Sequence, residues 1–186
     1  KLPLLIKGTK FPKPIKYTEN LGSAQCKSAV MIAALKTKGE TKLKCLPSRN
    51  HTEIFFKKVL KVPIRIIKQK KYEIINIKGQ KKMKSFNYRI PGDISSASFF
   101  IVLTLLSKNN FLKIKNINLN PSRTGIIKIL KMMGSEIKIL NLRYYKGEKI
   151  GDIIVKSSKN LKSINCPTKF NSSAIDEFLV IFLVAA

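Results

Sequence analysis

One histidine, three cysteines and 10 acidic residues in a chain of 186 leave little room for several kinds of chemistry. With His51 as the lone imidazole and the carboxylates scattered, no cluster reaches the density of a transition-metal site, and no metal is expected. Cys26, Cys45 and Cys166 are odd in number and lack CxxC spacing. Neither a disulfide framework nor a zinc site is therefore expected, and a reduced, cytoplasmic setting follows. Long apolar runs are missing too. Residues 97–106 and 178–186 fall well short of the roughly 20 residues that a membrane-spanning helix needs. The opening KLPLLIKG has neither the apolar core nor the small-residue cleavage site of a signal peptide, and no initiator Met precedes it. The chain reads as an internal piece.

What the chain does have is a hydrophobic content of 44%, enough for a sizeable core, and 37 Lys+Arg against 10 Asp+Glu, a formal charge of +27. Such a charge suggests a nucleic-acid partner through phosphate contacts. The lysines, however, run through nearly every segment and are not interleaved with aromatics, as a stacking groove would require. Solvated surface lysines are the preferred reading, and their field also attracts small anions.

The chain repeats itself. After Gly22 comes a helical run, SAQCKSAVMIAALKTKG, then a strand TKLKCL, the tripeptide PSR, a helical run NHTEIFFKKVLKV, and strands PIRIIKQ and KYEIINIKG. After Gly92 the order returns: helix DISSASFFIVLTLLSKN, strand FLKIKNINL, PSR again, helix TGIIKILKMMG, and strands EIKILNL and DIIVKSS. The tripeptides at 47–49 and 121–123 lie 74 positions apart, and Gly22 and Gly92 lie 70 apart. A third copy begins at NSSAIDEFLVIFLVAA, read as a polar opening and an apolar helix. With a leading strand the unit is βαβαββ, an α/β arrangement. MIAAL and SFFIVLTLL are apolar on most faces, as helices buried inside a lobe would be. The polar stretch 80–88 places a boundary near its end, with residues 1–88 in a first lobe and 89–186 in a second.

Each helix opens with small polar residues, and capping the free amides of the first turn is the bland explanation for all of them. Asn50 with Glu53 resembles a capping box, and capping is preferred for Asp93 and Ser122. Ser23 and Arg49 admit a second reading. A helix start offers amides and a positive dipole end to an anion, and Arg adds a forked donor matched to phosphate oxygens. At Arg49 this reading and that of a surface or capping Arg stand level. At Arg123, followed by Gly125 and an apolar run, packing is preferred. Gln25 is either a surface amide or a donor and acceptor for a polar ligand. Asp176 is either a cap or a proton acceptor. His51 reads as structural and Lys27 as solvated.

KGTKFPKPIKYTENLGSAQCKSAVMIAAL, SRNHTE, YRIPGDISSASFFIVLTLL, LNPSRTGIIKILKMMG, KIGDIIV and AIDEFLVIFLVAA together resemble the 5-enolpyruvylshikimate-3-phosphate synthases, of the bacterial type divergent from the enteric one. The resemblance implies βαβαββ units in two similar lobes that close over the substrates, an inverted α/β prism. It also implies transfer of the enolpyruvyl group of phosphoenolpyruvate to the 5-hydroxyl of shikimate 3-phosphate, with release of phosphate. No metal or organic cofactor is implied, and the full-length protein is expected to be a monomer with no nucleic-acid or membrane partner. Ser23, Ala24 and Arg49 match the positions that hold the shikimate phosphate. Gln25 matches the glutamine between the two substrates, and Asp176 the aspartate that receives the hydroxyl proton. The family's N-terminal lysine, its phosphoenolpyruvate loop and its Lys-Glu-Ser-Asp-Arg segment have no counterpart in residues 1–186, so this piece alone is expected to be inactive. The rivals are the related UDP-N-acetylglucosamine enolpyruvyl transferase, disfavoured by SAQ followed by SRNHTE, and a basic nucleic-acid-binding module.

Overall fold

Glu40–Cys45 alternates exposed and buried side chains along ETKLKC, the mark of a strand with one covered face. It is β2 of a computed structural model that describes residues 3–79 and 83–186. The chain divides into two units, with the division between Asn87 and Tyr88. Gln80, Lys81 and Lys82, which open the polar stretch between the repeats, lie outside the described residues.

The first unit runs β1 (Lys16–Glu19), α1 (Ala24–Ala34), β2, α2 (His51–Phe55), β3 (Ile64–Lys68) and β4 (Glu73–Lys78). Its sheet has the order β1-β2-β4-β3, with β1 parallel to β2 and the other pairs antiparallel. Met31, Ala34 and Leu35 of the first helical run pack with Leu43 and Cys45 of β2, Phe56 and Val62 behind α2, and Ile75 and Ile77 of β4. The helix expected over 50–62 is α-helical only to Phe55. It widens to a π turn over Phe56–Leu60 and stops at Lys61, which has φ 55°. The Val62 amide donates to the Phe56 carbonyl at 2.9 Å, and Pro63 cannot continue the helix.

The second unit runs α3 (Ile94–Leu106), β5 (Phe111–Asn118), α4 (Gly125–Met132), β6 (Ile137–Tyr145), β7 (Glu148–Lys156), α5 (Asn171–Ala174) and α6 (Phe178–Ala185). Its sheet has the order β5-β7-β6. The repeat survives in space, because β5, β7 and β6 stand as β2, β4 and β3 do. The counterpart of β1 shrinks to one parallel bridge, Gly92 against Ile117, in which Gly92 donates to the Asn116 carbonyl and accepts from the Asn118 amide, each at 2.8 Å. β6 and β7 are longer than EIKILNL and DIIVKSS suggested. Lys146 and Gly147, both with positive φ, form a tight hairpin that lets the ladder run to the turn.

One expectation about the helices is refined and another corrected. In the run 171–186 the apolar helix is present, but the polar opening before it is itself helical. The run is α5, a 3-10 turn over Ile175–Glu177 and then α6, preceded by another 3-10 turn over Thr168–Phe170. Helix α3, however, is not buried all round within these residues. Ala97, Ile101, Val102 and Leu105 enter the core, while Phe99, Phe100 and Leu103 stay exposed, as do Leu179, Phe182 and Leu183 of α6. The one-sided covering reflects a single layer of packing on these helices among the described residues.

Candidate functional site

In the first unit, the buried Glu19 at the end of β1 shapes the approach to α1. Its carboxylate accepts from the amides of Leu21 at 2.8 Å, Gly22 at 2.9 Å and Ser23 at 3.1 Å. Gly22 lies at φ +67°, a left-handed conformation that glycine adopts without a Cβ clash. The chain therefore enters the helix with Ser23 as N-cap, its hydroxyl accepting from the Cys26 amide at 3.2 Å. Ala24 and Gln25 are the first two helical residues, so their amides have no carbonyl one turn back within the helix. The Ser23 hydroxyl also lies 3.4 Å from the Gln25 side-chain oxygen.

Arg49, half-buried, stands two residues before α2 in the bend that follows β2. The starts of α1 and α2 are tied together: the Ser28 and Thr52 hydroxyls lie 2.6 Å apart, and Lys27 Nζ lies 2.6 Å from Glu53 Oε1. Lys27 is completely buried and Glu53 nearly so, so the reading of Lys27 as solvated is overturned. The spacing Lys27, Met31, Ala34 puts Lys27 on the buried stripe of α1. That stripe was the signal that could have marked it. The Asn50 and Glu53 capping box is not formed either. Asn50 is the N-cap without a side-chain cap bond, and Glu53 turns inward to the lysine.

In the second unit, Asp93 caps α3 by accepting from the Ser96 amide at 2.8 Å, as Ser23 caps α1. Burial works against its charge. The Ser96 amide and hydroxyl and the Arg123 guanidinium outweigh that and hold its carboxyl below the usual carboxylate range. Ser122 is not the cap of α4, where Thr124 takes that place. Instead the Ser122 amide and hydroxyl donate to the Asn120 side-chain oxygen at 3.0 and 2.8 Å. Arg123 is no mere packing residue. Its guanidinium lies 3.1 Å from Asp93 Oδ1 and 3.5 Å from Asp176 Oδ2, and it also donates to Ser95 Oγ. Asp176 sits in the 3-10 turn before α6, less than half exposed, beside the buried Glu177, which accepts from Ser95 Oγ.

Ser23, Ala24, Gln25 and Arg49 thus belong to two helix starts bound to each other within one unit, and Asp176 to an ionic cluster within the other. Glu19, the Lys27–Glu53 pair and Arg123 escaped the sequence reading. A groove of about 200 Å³ in the second unit, lined by residues that include Arg89, Asn116, Arg143 and Tyr145, involves none of the five expected positions. Among the described residues no group of His, Cys, Asp and Glu could hold a metal ion, and no helix is long and apolar enough to cross a membrane.

The sequence profile of EPSP synthase (3-phosphoshikimate 1-carboxyvinyltransferase) matches residues 1–186. The 3-phosphoshikimate 1-carboxyvinyltransferase of Petrotoga mobilis is 43% identical over 185 residues, which are 98% of this chain and 41% of that protein. Its namesake in Caldicellulosiruptor saccharolyticus is 41% identical over 186 residues, all of this chain and 42% of that protein. The solved EPSP synthase from Acinetobacter baumannii superposes with a TM-score of 0.81 at 36% identity, over 97% of this chain and 40% of that one. The chain spans about two fifths of the length of these relatives. Profile, identity and fold agree over nearly every residue, and the chain belongs to the EPSP synthase family.

Proposed function

We propose that the protein of which these residues are part transfers the enolpyruvyl group of phosphoenolpyruvate to the 5-hydroxyl of shikimate 3-phosphate and releases inorganic phosphate. In this reading Ser23, Ala24 and Arg49 hold the phosphate ester of the acceptor. Gln25 donates to and accepts from the bound substrates, and Asp176 receives the proton of the attacking hydroxyl. The protein works in the cytoplasm as a monomer, with no metal, organic cofactor, nucleic acid or membrane partner.

One observation carries the phosphate assignment: the internal repeat supplies its own comparison. In the second unit the N-cap of the first helix and the arginine of Pro-Ser-Arg meet at 3.1 Å, because that N-cap is the carboxylate of Asp93. In the first unit the same two places hold Ser23, a neutral hydroxyl, and Arg49. In the second copy these two places share an anion, and in the first both carry donors, which supports reading them as donors to a bound anion. Membership of the EPSP synthase family supports reading that anion as a phosphate ester.

The full-length protein tests the reading in one assay. Phosphate release that requires both phosphoenolpyruvate and shikimate 3-phosphate is expected, together with thermal stabilisation by shikimate 3-phosphate alone through mass action. Release with UDP-N-acetylglucosamine in its place, or no release with either acceptor, would overturn it. Tight binding to DNA or RNA that weakens steeply with salt and ignores shikimate 3-phosphate would favour the basic-module alternative.

A further inference from the structure

Arg123 engages three oxygens from two parts of the second unit, and the division of its contacts is informative. One terminal nitrogen lies 3.1 Å from Asp93 Oδ1 and also reaches Ser95 Oγ, both at the start of α3. The other lies 3.5 Å from Asp176 Oδ2. Ser95 Oγ in turn donates to Glu177 Oε1, so the dipeptide Asp176-Glu177 is fastened to the start of α3 twice, once through the guanidinium and once through the hydroxyl. Glu177 is buried, whereas the Asp176 side chain is 43% exposed and reachable. A third restraint comes from Gly125. A Cβ there would meet Ser173 atoms at 2.5–2.8 Å, so glycine lets α5 lie directly against the start of α4.

We propose that Arg123 is a positioning residue for Asp176, fixing the direction in which that carboxylate faces a substrate hydroxyl. The inference rests on the reading of Asp176 as proton acceptor. A carboxylate on a short 3-10 turn has freedom at two side-chain torsions, and a guanidinium anchored elsewhere removes much of it. Arginine suits the task because its planar fork presents two nitrogens at fixed separation, one for the anchor and one for the carboxylate. A lysine would keep the positive charge and reach only one of them. Small misplacements of a reacting group cost up to about a hundredfold in rate, which gives such a restraint its value.

The experiment is steady-state kinetics of the full-length protein carrying Arg123→Lys, with Ser95→Ala as a milder variant and Asp176→Asn as reference. Arg123→Lys is expected to lower kcat by about tenfold or more while KM for shikimate 3-phosphate stays within about threefold, the pattern of an interaction needed in the transition state and not in binding. Ser95→Ala, which keeps the arginine and its charge, is expected to lower kcat by about threefold with the same unchanged KM. A kcat for Arg123→Lys within about twofold of the parent overturns the inference, as does a fall in kcat/KM that comes wholly from KM. Asp176→Asn separates this failure from that of the underlying reading. If Asp176→Asn is inactive and Arg123→Lys runs at the parent rate, only the positioning role falls. If Asp176→Asn runs at the parent rate, the proton-acceptor reading falls and takes the positioning role with it.

Discussion

Lys27 Nζ lies 2.6 Å from Glu53 Oε1 with both side chains out of solvent, and the pair joins α1 to α2 one turn behind the residues assigned to the phosphate. Burying two charges is costly, and mutual attraction offsets the cost only while both partners are present. Lys27→Met alone or Glu53→Gln alone is therefore expected to destabilise the first unit by about 3–5 kcal/mol. Lys27→Met with Glu53→Leu, which removes both charges and keeps the volume, is expected to cost much less than either single change. Urea denaturation of the parent, Lys27→Met, Glu53→Leu and the double variant closes the cycle, with Glu53→Gln as a second single change. Additive penalties would show that the pair does not act as a unit.

The same pair shows where sequence reading succeeds and where it stops. Alternation in TKLKCL and the return of Pro-Ser-Arg after 74 positions are local or periodic signals, and they lead to the βαβαββ unit. The sheet orders β1-β2-β4-β3 and β5-β7-β6 carry that repeat into space. A buried ion pair is neither local nor periodic. Lys27 looks like any of the chain's many lysines until Glu53, 26 residues on, is placed against it. Arg123 was hidden for the same reason, its partners Asp93 and Asp176 lying 30 and 53 residues away. The break of the last helix at residues 171–178 had no marker either. No Pro or Gly interrupts AIDEFLVIFLVAA, and the turn depends on the contacts of Ser173 and Glu177 with α4 and α3.

Lys27 also bears on Cys45, which is fully buried in β2. Burial pushes its thiol up to about 11, with Lys27 pulling the other way and Glu73 adding to the rise. The thiolate is the reactive form, and an ordinary thiol reaches it near pH 8.5. At pH 8 Cys45 is expected to be the last of the three cysteines to react with a maleimide, and to do so only as fast as the fold opens. Cys26 and Cys166 are exposed and react directly. Peptide mapping over time reads the order. Labelling of Cys45 at the rate of Cys26 would contradict its sealed position.

Asp152 organises the second sheet. β5 and β6 each carry a bulge against the middle of β7, with Asn116 at φ 57° and Asn141 at φ 50°. One carboxylate serves both: Asp152 accepts from the Asn116 amide at 3.0 Å and the Asn141 side chain at 2.8 Å, with Lys113 Nζ 3.6 Å away. The Asn116 amide, then the Asn141 amide, and then Lys113 hold its carboxyl below the usual range. A depressed carboxyl contributes stability that is present above its unfolded value, about 3.9, and is lost as pH falls through the folded one. Asp152→Asn is thus expected to lower the thermal midpoint at pH 7 and to match the parent more closely near pH 2. A penalty that stays constant between those pH values would remove the charge from the explanation.

Ser23→Asp puts the repeat comparison itself to the test. Aspartate is as good an N-cap as serine, and Asp93 already caps the equivalent helix with the same side-chain geometry, so the substitution is expected to leave the thermal midpoint of the full-length protein within a few degrees. It places a carboxylate where the phosphate ester is proposed to sit. Like charges at contact distance disfavour binding by several kcal/mol, so shikimate 3-phosphate is expected to lose affinity by a hundredfold or more, while a non-phosphorylated analogue such as shikimate loses far less. Titration calorimetry with both ligands measures the difference. Arg49→Met should give the same ligand ranking by removing the donor instead of adding the acceptor. If Ser23→Asp keeps parent affinity for the phosphorylated acid, the start of α1 does not face that ester, and the parallel between Asp93–Arg123 and an external anion at Ser23 and Arg49 fails.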